Sequence, residues 1–194
     1  MHVEEALKHA KQVLPQKRYE HVERVTETAL DLARHYGADP YQVGIAAAMH
    51  DYAKHMEKDL LKKWILSYTD LPKDLLNYHH ELWHGPVGAK MIEHLFLIKD
   101  SEIINSIRYH TTGRHGMTLV EKIIFLADYI EPGRQFDAVH EARKLVDIDL
   151  NRACQYALKQ SIIFLMSKGQ PIYPDTFQAY NNLTKEIQQL NGGF

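Results

Sequence analysis

The sequence predicts an all-α fold in a single domain. Apolar residues recur every three or four positions in segment after segment. Helix-start and helix-stop residues, among them Asp39-Pro40, Gly37 and Gly169, punctuate those segments. No stretch alternates apolar and polar residues strongly enough to claim a half-buried strand. A chain of 194 residues with 45% hydrophobic and 25% charged residues can bury a core without disulfides.

The elements follow in order. Val3, Ala6, Leu7, Ala10, Val13 and Leu14 fall at helical spacing, and Pro15 ends that first helix. KRYEHVERVTETALDLARHY forms a longer helix with Val22, Val25, Ala29, Leu32, Ala33 and Tyr36 on its apolar face and Gly37 as its stop. Asp39 as cap and Pro40 at the first helical position start a third helix, expected over about 40–54. Gly44, Ala46, Ala47 and Ala48 suit close packing by several neighbours. KDLLKKWILSYTDLPKDLL divides into two short helical pieces with Asp70 as a cap, and NYHHELWHG reads as loop. Gly85-Pro86 opens the next helix, and Asp100 or Ser101 caps one that reaches His110. After the loop TTGRHG, Thr118 and Glu121 form a capping-box pattern before LVEKIIFLADYI, which Pro132-Gly133 closes. A short helix fits FDAVHEARKL, a long one runs from Asp147 to Gly169, and a last one after PIYPD carries Phe177, Tyr180, Leu183, Ile187 and Leu190.

Composition narrows the function classes. A net charge of -2 argues against a basic nucleic-acid surface or a polycationic membrane module. No apolar run approaches the ~18 residues of a membrane span, and MHVEEALKHA lacks a basic-then-apolar signal, so the expected location is cytoplasmic. One cysteine, Cys154, provides neither an internal disulfide nor a thiolate cage, so any metal must be held by nitrogen and oxygen. Thirteen histidines exceed what packing needs.

His50-Asp51, at the end of the alanine-rich third helix, is the focal doublet. His21, His84, His110 and Asp128 also fall near helix ends, where side chains from different helices converge. Three or four imidazoles and two carboxylates suit zinc, iron, manganese or nickel better than calcium. One bridging carboxylate would allow two metals about 3.5–4 Å apart, able to activate water and clamp a phosphate together. A lone histidine is more often a packing residue, which is the reading for His2, His9, His35, His55, His94 and His140. Asp128 lies inside the apolar run IIFLADYI, where an unpaired carboxylate is costly and a cation explains it better. Arg18, Arg24, Lys54, Arg114 and Arg134 surround the same places and suit a phosphate chain, although taken singly most fit a solvated charge face. Thr111 could offer a hydroxyl to phosphate or simply form the loop, and Tyr173 could line a base pocket or seal the last two helices. His80, His115 and Glu81 are further pocket candidates without an assigned proton-transfer role.

This ordered set resembles the metal-binding pattern of the HD superfamily of helical phosphohydrolases. The segments RYEHVERV, AAAMHDYAK, LWHGPVGA, IRYHTTG and LADYIEPGR more specifically resemble the bacterial HD-domain diadenosine-tetraphosphate hydrolases of the symmetrical type, over most of residues 17–180. The resemblance implies an HD-type helical bundle with a metal-binding core over about 17–135 and C-terminal helices over about 147–190. It implies that His21, His50, Asp51 and Asp128 hold one metal and that His84 and His110 hold a second, with Asp51 bridging. Two divalent transition metal ions are then the cofactors, iron first, with manganese, cobalt or zinc as the other candidates. Asp51, Lys54 and Arg134 would carry catalysis. Arg18, Arg24, Lys54, His80, Thr111, Arg134 and Tyr173 would contact substrate.

The implied reaction is attack by metal-activated hydroxide on an inner phosphorus of a dinucleoside polyphosphate, Ap4A, giving two ADP. A homodimer is part of the same expectation; nucleic acid and membrane partners are not. The rival readings are an HD-type nucleotidase or phosphodiesterase acting on another nucleotide, and an inactive metal- and nucleotide-binding module.

Overall fold

The helices form where apolar periodicity and end signals coincide. A computed structural model describes residues 1–190 and Gly192. Among these residues it contains ten α-helices, two short 3-10 turns and no strand. The helices are α1 (Val3–Val13), α2 (Gln16–Tyr36), α3 (Pro40–Met49), α4 (Lys58–Ser67), α5 (His84–Leu95), α6 (Ser101–Tyr109), α7 (Leu119–Ile130), α8 (Asp137–Val146), α9 (Leu150–Ser167) and α10 (Pro174–Leu190). Gly37 ends α2 in the left-handed region, at φ 72°, where a side chain would be strained. Asp39, Asp100 and Asp149 cap α3, α6 and α9 by accepting from the backbone N–H groups of Tyr41, Glu102 and Arg152.

Helix α3 is the hub. It packs on α1, α2, α6 and α7, and Val43 through Met49 are all buried, which explains its run of small residues. Ile45, Met49, Ile103, Ile107, Ile123, Ile124 and Leu126 fill the largest core cluster. Helices α8, α9 and α10 extend that core beyond α7, through Ala142, Ala153, Leu158 and Leu183. A second cluster of Leu61, Ile65, Leu71, Leu75, Val87 and Tyr173 holds α4 and the two 3-10 turns against α5.

Several local expectations need correction. The third helix stops at Met49 instead of continuing to 54. His50 Nδ1 turns back to the Ala47 carbonyl at 2.7 Å, and residues beyond it bond at i−3, including Lys54 N–H to Asp51 O at 2.8 Å. Those turns bury Ala53 in the second cluster. Asp70 caps no helix; its carboxylate accepts from Lys90 at 3.0 Å, and Pro72 precedes the 3-10 turn Lys73–Asn77. Thr118 does cap α7 by accepting from Glu121 N–H, but the Glu121 carboxylate turns inward to Arg114, with contacts of 2.7–3.1 Å. NYHHELWHG contains a further 3-10 turn at His80–Leu82, and α5 begins at His84 itself.

Candidate metal centre

The six donors that sequence spacing picks out stand at helix ends facing one space. His21 lies in the second turn of α2, His50 is the C-cap of α3 and Asp51 follows it. His84 opens α5, His110 is the C-cap of α6, and Asp128 occupies the last turn of α7. The C-terminal ends of α3, α6 and α7 thus meet here, and their partial negative charge favours a cation. Gly85 permits the convergence of α5 and α6: a Cβ there would sit 2.9 Å from the Arg108 carbonyl oxygen and 3.5 Å from the His110 ring.

Backbone carbonyls set the tautomers of three rings. Nδ1 of His50 lies 2.7 Å from Ala47 O, that of His84 2.6 Å from Glu81 O, and that of His110 2.8 Å from Ile107 O. A carbonyl only accepts, so each Nδ1 carries the proton, and in the neutral ring Nε2 is left with a lone pair. Two of those acceptors, Ala47 O and Ile107 O, belong to last helical turns, whose carbonyls lack intrahelical partners. His21 Nδ1 lies 3.1 Å from Glu131 Oε1, so its Nε2 also faces inward. Four imidazoles therefore present Nε2 to a common space, each held by a second partner as metal-ligating histidines require.

Asp51, fully buried, divides its oxygens between them. Oδ2 lies 3.2 Å from His50 Nε2 and 3.7 Å from His21 Nε2, while Oδ1 lies 3.2 Å from His84 Nε2 and 3.9 Å from His110 Nε2. His84 and His110 oppose their Nε2 atoms at 3.0 Å, and His21 Nε2 sits 3.0 Å from Asp128 Oδ1. With the Nδ1 positions protonated these are acceptors facing acceptors, an arrangement that a cation relieves. Asp51 Oδ1 and the Nε2 atoms of His21 and His50 are buried without a hydrogen bond, while Oδ2 has the Arg18 guanidinium as its donor, and leaving such groups unmet is costly. His21–His50–Asp51, Asp51–His84–His110 and His50–His110–Asp128 each bring donor atoms within 4.8 Å of one another. The donor set fits divalent transition metal, with Asp51 placed between two histidine pairs.

Burial disfavours the His50 imidazolium, but Asp51 and then Asp128 outweigh it and raise the pKa of that ring above its ordinary value. Burial alone raises the Asp51 carboxyl, but His50 and His84 hold it well below the usual range. For Asp128, burial is likewise outweighed by His21, His50 and Arg134. Burial, followed by His84 and His50, pushes the His110 imidazolium well down, which keeps that ring neutral and able to ligate.

The other singled-out residues lie around this cluster. Arg18 pairs with Asp51 Oδ2, and Arg134 Nη2 donates to Asp128 Oδ1 at 2.6 Å. Lys54 pairs with Glu81 at 2.7 Å, and with His80 and His84 it lines a cavity of about 240 Å³. Thr111 Oγ1 is 3.1 Å from His110 Nε2. Tyr173 is buried with its ring edge-on to Tyr78, centroids 4.9 Å apart, and it borders a cavity of about 820 Å³ together with Thr111, Arg134, Phe136 and Phe164. Arg24, expected at the phosphate chain, lies against Glu131, to which its Nε donates at 2.5 Å. His115 lines none of these cavities.

Glu131 and Arg143 escaped sequence reasoning. The buried Glu131 carboxylate accepts from His21, from Arg24 and, at 2.6 Å, from Gly133 N–H, so it orients one candidate ligand. A Cβ on Gly133 would lie 2.7 Å from Arg24 Nη2, so a side chain there would make that guanidinium shift. Arg143 donates to the Ile130, Glu131 and Arg134 carbonyls at 2.7–3.1 Å and closes the end of α7. The DYIEPGR segment contained the signal for Glu131, but its partner His21 is 110 positions away.

Comparison with known proteins places these features in a family. The model of the HD domain matches residues 18–133. A Bacillus subtilis protein named "Bis(5'-nucleosyl)-tetraphosphatase, symmetrical" is 48% identical over 93% of this chain and 97% of its own length. A Halalkalibacterium halodurans protein of the same name is 46% identical over 93% of this chain and 96% of its own. A crystal structure from Clostridium acetobutylicum, described as a predicted HD superfamily hydrolase involved in NAD metabolism, superposes with a TM-score of 0.88 at 35% identity and covers 94% of this chain and 97% of that one. With its ligand-like residues at the converging helix ends and this likeness along nearly its whole length, the chain belongs to the HD domain family.

Proposed function

We propose that this chain hydrolyses Ap4A symmetrically, between the central phosphates, to two ADP. The observation that carries the reading is Asp51, whose two oxygens face separate histidine pairs, as a carboxylate shared by two cations would. The names of the relatives in Bacillus and Halalkalibacterium support the substrate.

In this reading His21, His50, Asp51 and Asp128 hold one divalent ion, and His84 and His110 hold the second with Asp51 between. Iron is the resident metal we favour, on the family resemblance; the N/O donor set suits manganese, cobalt or zinc as well. Bound there, the ions would lower the pKa of a water and neutralise phosphate oxygens. Arg134, beside Asp128 at the inner edge of the 820 Å³ cavity, binds the phosphate chain where charge develops. Arg18 and Lys54 supply further donors from the other sides of the cluster, with His80 next to Lys54. Thr111 bridges the cluster and the cavity, and Tyr173 gives the nucleoside an aromatic wall. Arg24 acts through Glu131, holding the carboxylate that orients His21.

The metal-binding core then spans about residues 17–135, and the helices over 147–190 complete the nucleotide cavity. A homodimer in the cytoplasm is the setting that the family resemblance supports.

The test is product analysis after incubation with Ap4A and added iron, manganese, cobalt or zinc. ADP as the sole nucleotide product is expected. ATP plus AMP, or no turnover with any metal, refutes the symmetrical assignment. Faster turnover of Ap3A, a cyclic dinucleotide or a dNTP would favour a different phosphoester hydrolase.

A further inference from the structure

Two cavities share a ridge beside the donor cluster. Leu82, Thr111 and Tyr173 line both the 820 Å³ cavity and a second one of about 360 Å³. Thr111 fixes the ridge at the cluster, since its hydroxyl lies 3.1 Å from His110 Nε2. The second cavity has apolar walls, including Leu71, Pro72, Leu75 and Pro86, and three charged groups, Arg108, Asp70 and Asp175. Its volume falls in the roughly 300–1,000 Å³ range of small-molecule sites.

Arg108 is the one cation of the IRYHTTG segment, and the donor cluster makes no use of it. Its Nε is buried and has no hydrogen-bond partner. Asp70, its nearby carboxylate, is 3.7 Å from Nη2 and is held more closely by Lys90, at 3.0 Å. A guanidinium offers only donors, and Asp70, shared with Lys90, leaves the Arg108 Nε–H without an acceptor.

We infer that the second cavity is a second nucleoside-diphosphate subsite, in which Arg108 donates to acceptor atoms of the nucleotide and Asp175 accepts from its hydroxyl or amino groups. The inference rests on the proposed function: a symmetrical substrate cut at its middle has two equal ends, and two cavities joined at a ridge on the donor cluster seat both. The phosphate chain then crosses at Thr111, and Tyr173 serves both halves as a shared wall.

Calorimetric titration of the manganese-loaded protein with ADP tests this without turnover. Two ADP per chain are expected, with Arg108→Met weakening one of them by about tenfold or more, the effect of losing charge-assisted hydrogen bonds, and sparing the other. Asp175→Asn, isosteric and at a partly buried position, should weaken the same one. A single ADP per chain in the unaltered protein, or unchanged binding of both ADP by the two variants, overturns the inference. If Arg108→Met loses its helical circular dichroism, Asp175→Asn decides alone. Failure here is separable from failure of the proposed reaction. Two ADP sites with ATP and AMP as products would refute only the reaction; one ADP site with ADP as sole product would refute only the second subsite.

Discussion

Replacing Glu131 by glutamine should weaken metal binding while leaving every candidate ligand in place. The Glu131 carboxylate is 2% exposed and receives three donors: His21 Nδ1, Arg24 Nε and Gly133 N–H. Glutamine keeps one acceptor and puts an NH2 group where the other was, so the donor left without a partner is either His21, at Oε1, or the pair Arg24 and Gly133 N–H, at Oε2. If that donor is His21, its tautomer and ring angle are no longer fixed. Outer partners of this kind are worth roughly 10–100-fold in metal affinity, or about 1.4–2.8 kcal/mol. The unpaired donor costs about 1–3 kcal/mol of stability, which for this chain length lowers Tm by roughly 2–12 °C. Glu121→Gln is the control. Glu121 is equally buried and pairs with Arg114, but it touches no cluster histidine. Both variants should melt earlier, yet only Glu131→Gln should bind manganese more weakly by calorimetry. Equal manganese affinity in Glu131→Gln and the unaltered protein would refute an orienting role for Glu131.

The same carboxylate gives a pH dependence. Burial raises the Glu131 pKa, but Arg24, Gly133 N–H and His21 bring it below the ordinary value, so its stabilisation is present above the unfolded pKa and fades as pH falls through the folded one. Acid unfolding of the metal-free protein should therefore be less steep in Glu131→Gln; an identical acid limb would contradict this. Gly133→Ala, which places a Cβ 2.7 Å from Arg24 Nη2, should reproduce the metal-binding defect in milder form, and Arg24→Ala should abolish any difference between alanine and glycine at 133. Adding manganese at about a hundred times its Kd to metal-free protein should stabilise it by about 2.7 kcal/mol for each ion bound, read as a rise in Tm that EDTA reverses. Cys154 is buried, and burial pushes its thiol up to about 12, so it should resist thiol reagents until the protein unfolds; rapid labelling of native protein would count against that packing.

Helix identity and the six candidate donors were legible in the sequence because both are local patterns. Val22–Val25–Ala29–Leu32 repeats at helical spacing whatever its neighbours do, and Asp39 and Asp100 cap through residues two positions away. What lies beyond the local pattern was not legible. The alanine-rich periodicity of α3 continues past Met49, but His50 turning back to Ala47 O and Ala53 packing into another cluster end the helix. Thr118 and Glu121 have the spacing of a capping box, yet the Glu121 carboxylate finds Arg114 instead. Glu131 looked like a helix-end residue, because Arg24 and His21, 107 and 110 positions away in the chain, reach it only once the chain has folded. Arg108 sat unremarked in IRYHTTG, because a missing partner shows only in three dimensions.

Asp51 is proposed to join two cation sites. Metal analysis of protein loaded with manganese and freed of excess ion tests it most directly, alongside Asp51→Asn and His84→Ala. Two ions per chain are expected in the unaltered protein, with loss of one in His84→Ala and weakened binding of both in Asp51→Asn. One ion or none in the unaltered protein, or two ions held undiminished by Asp51→Asn, would contradict it.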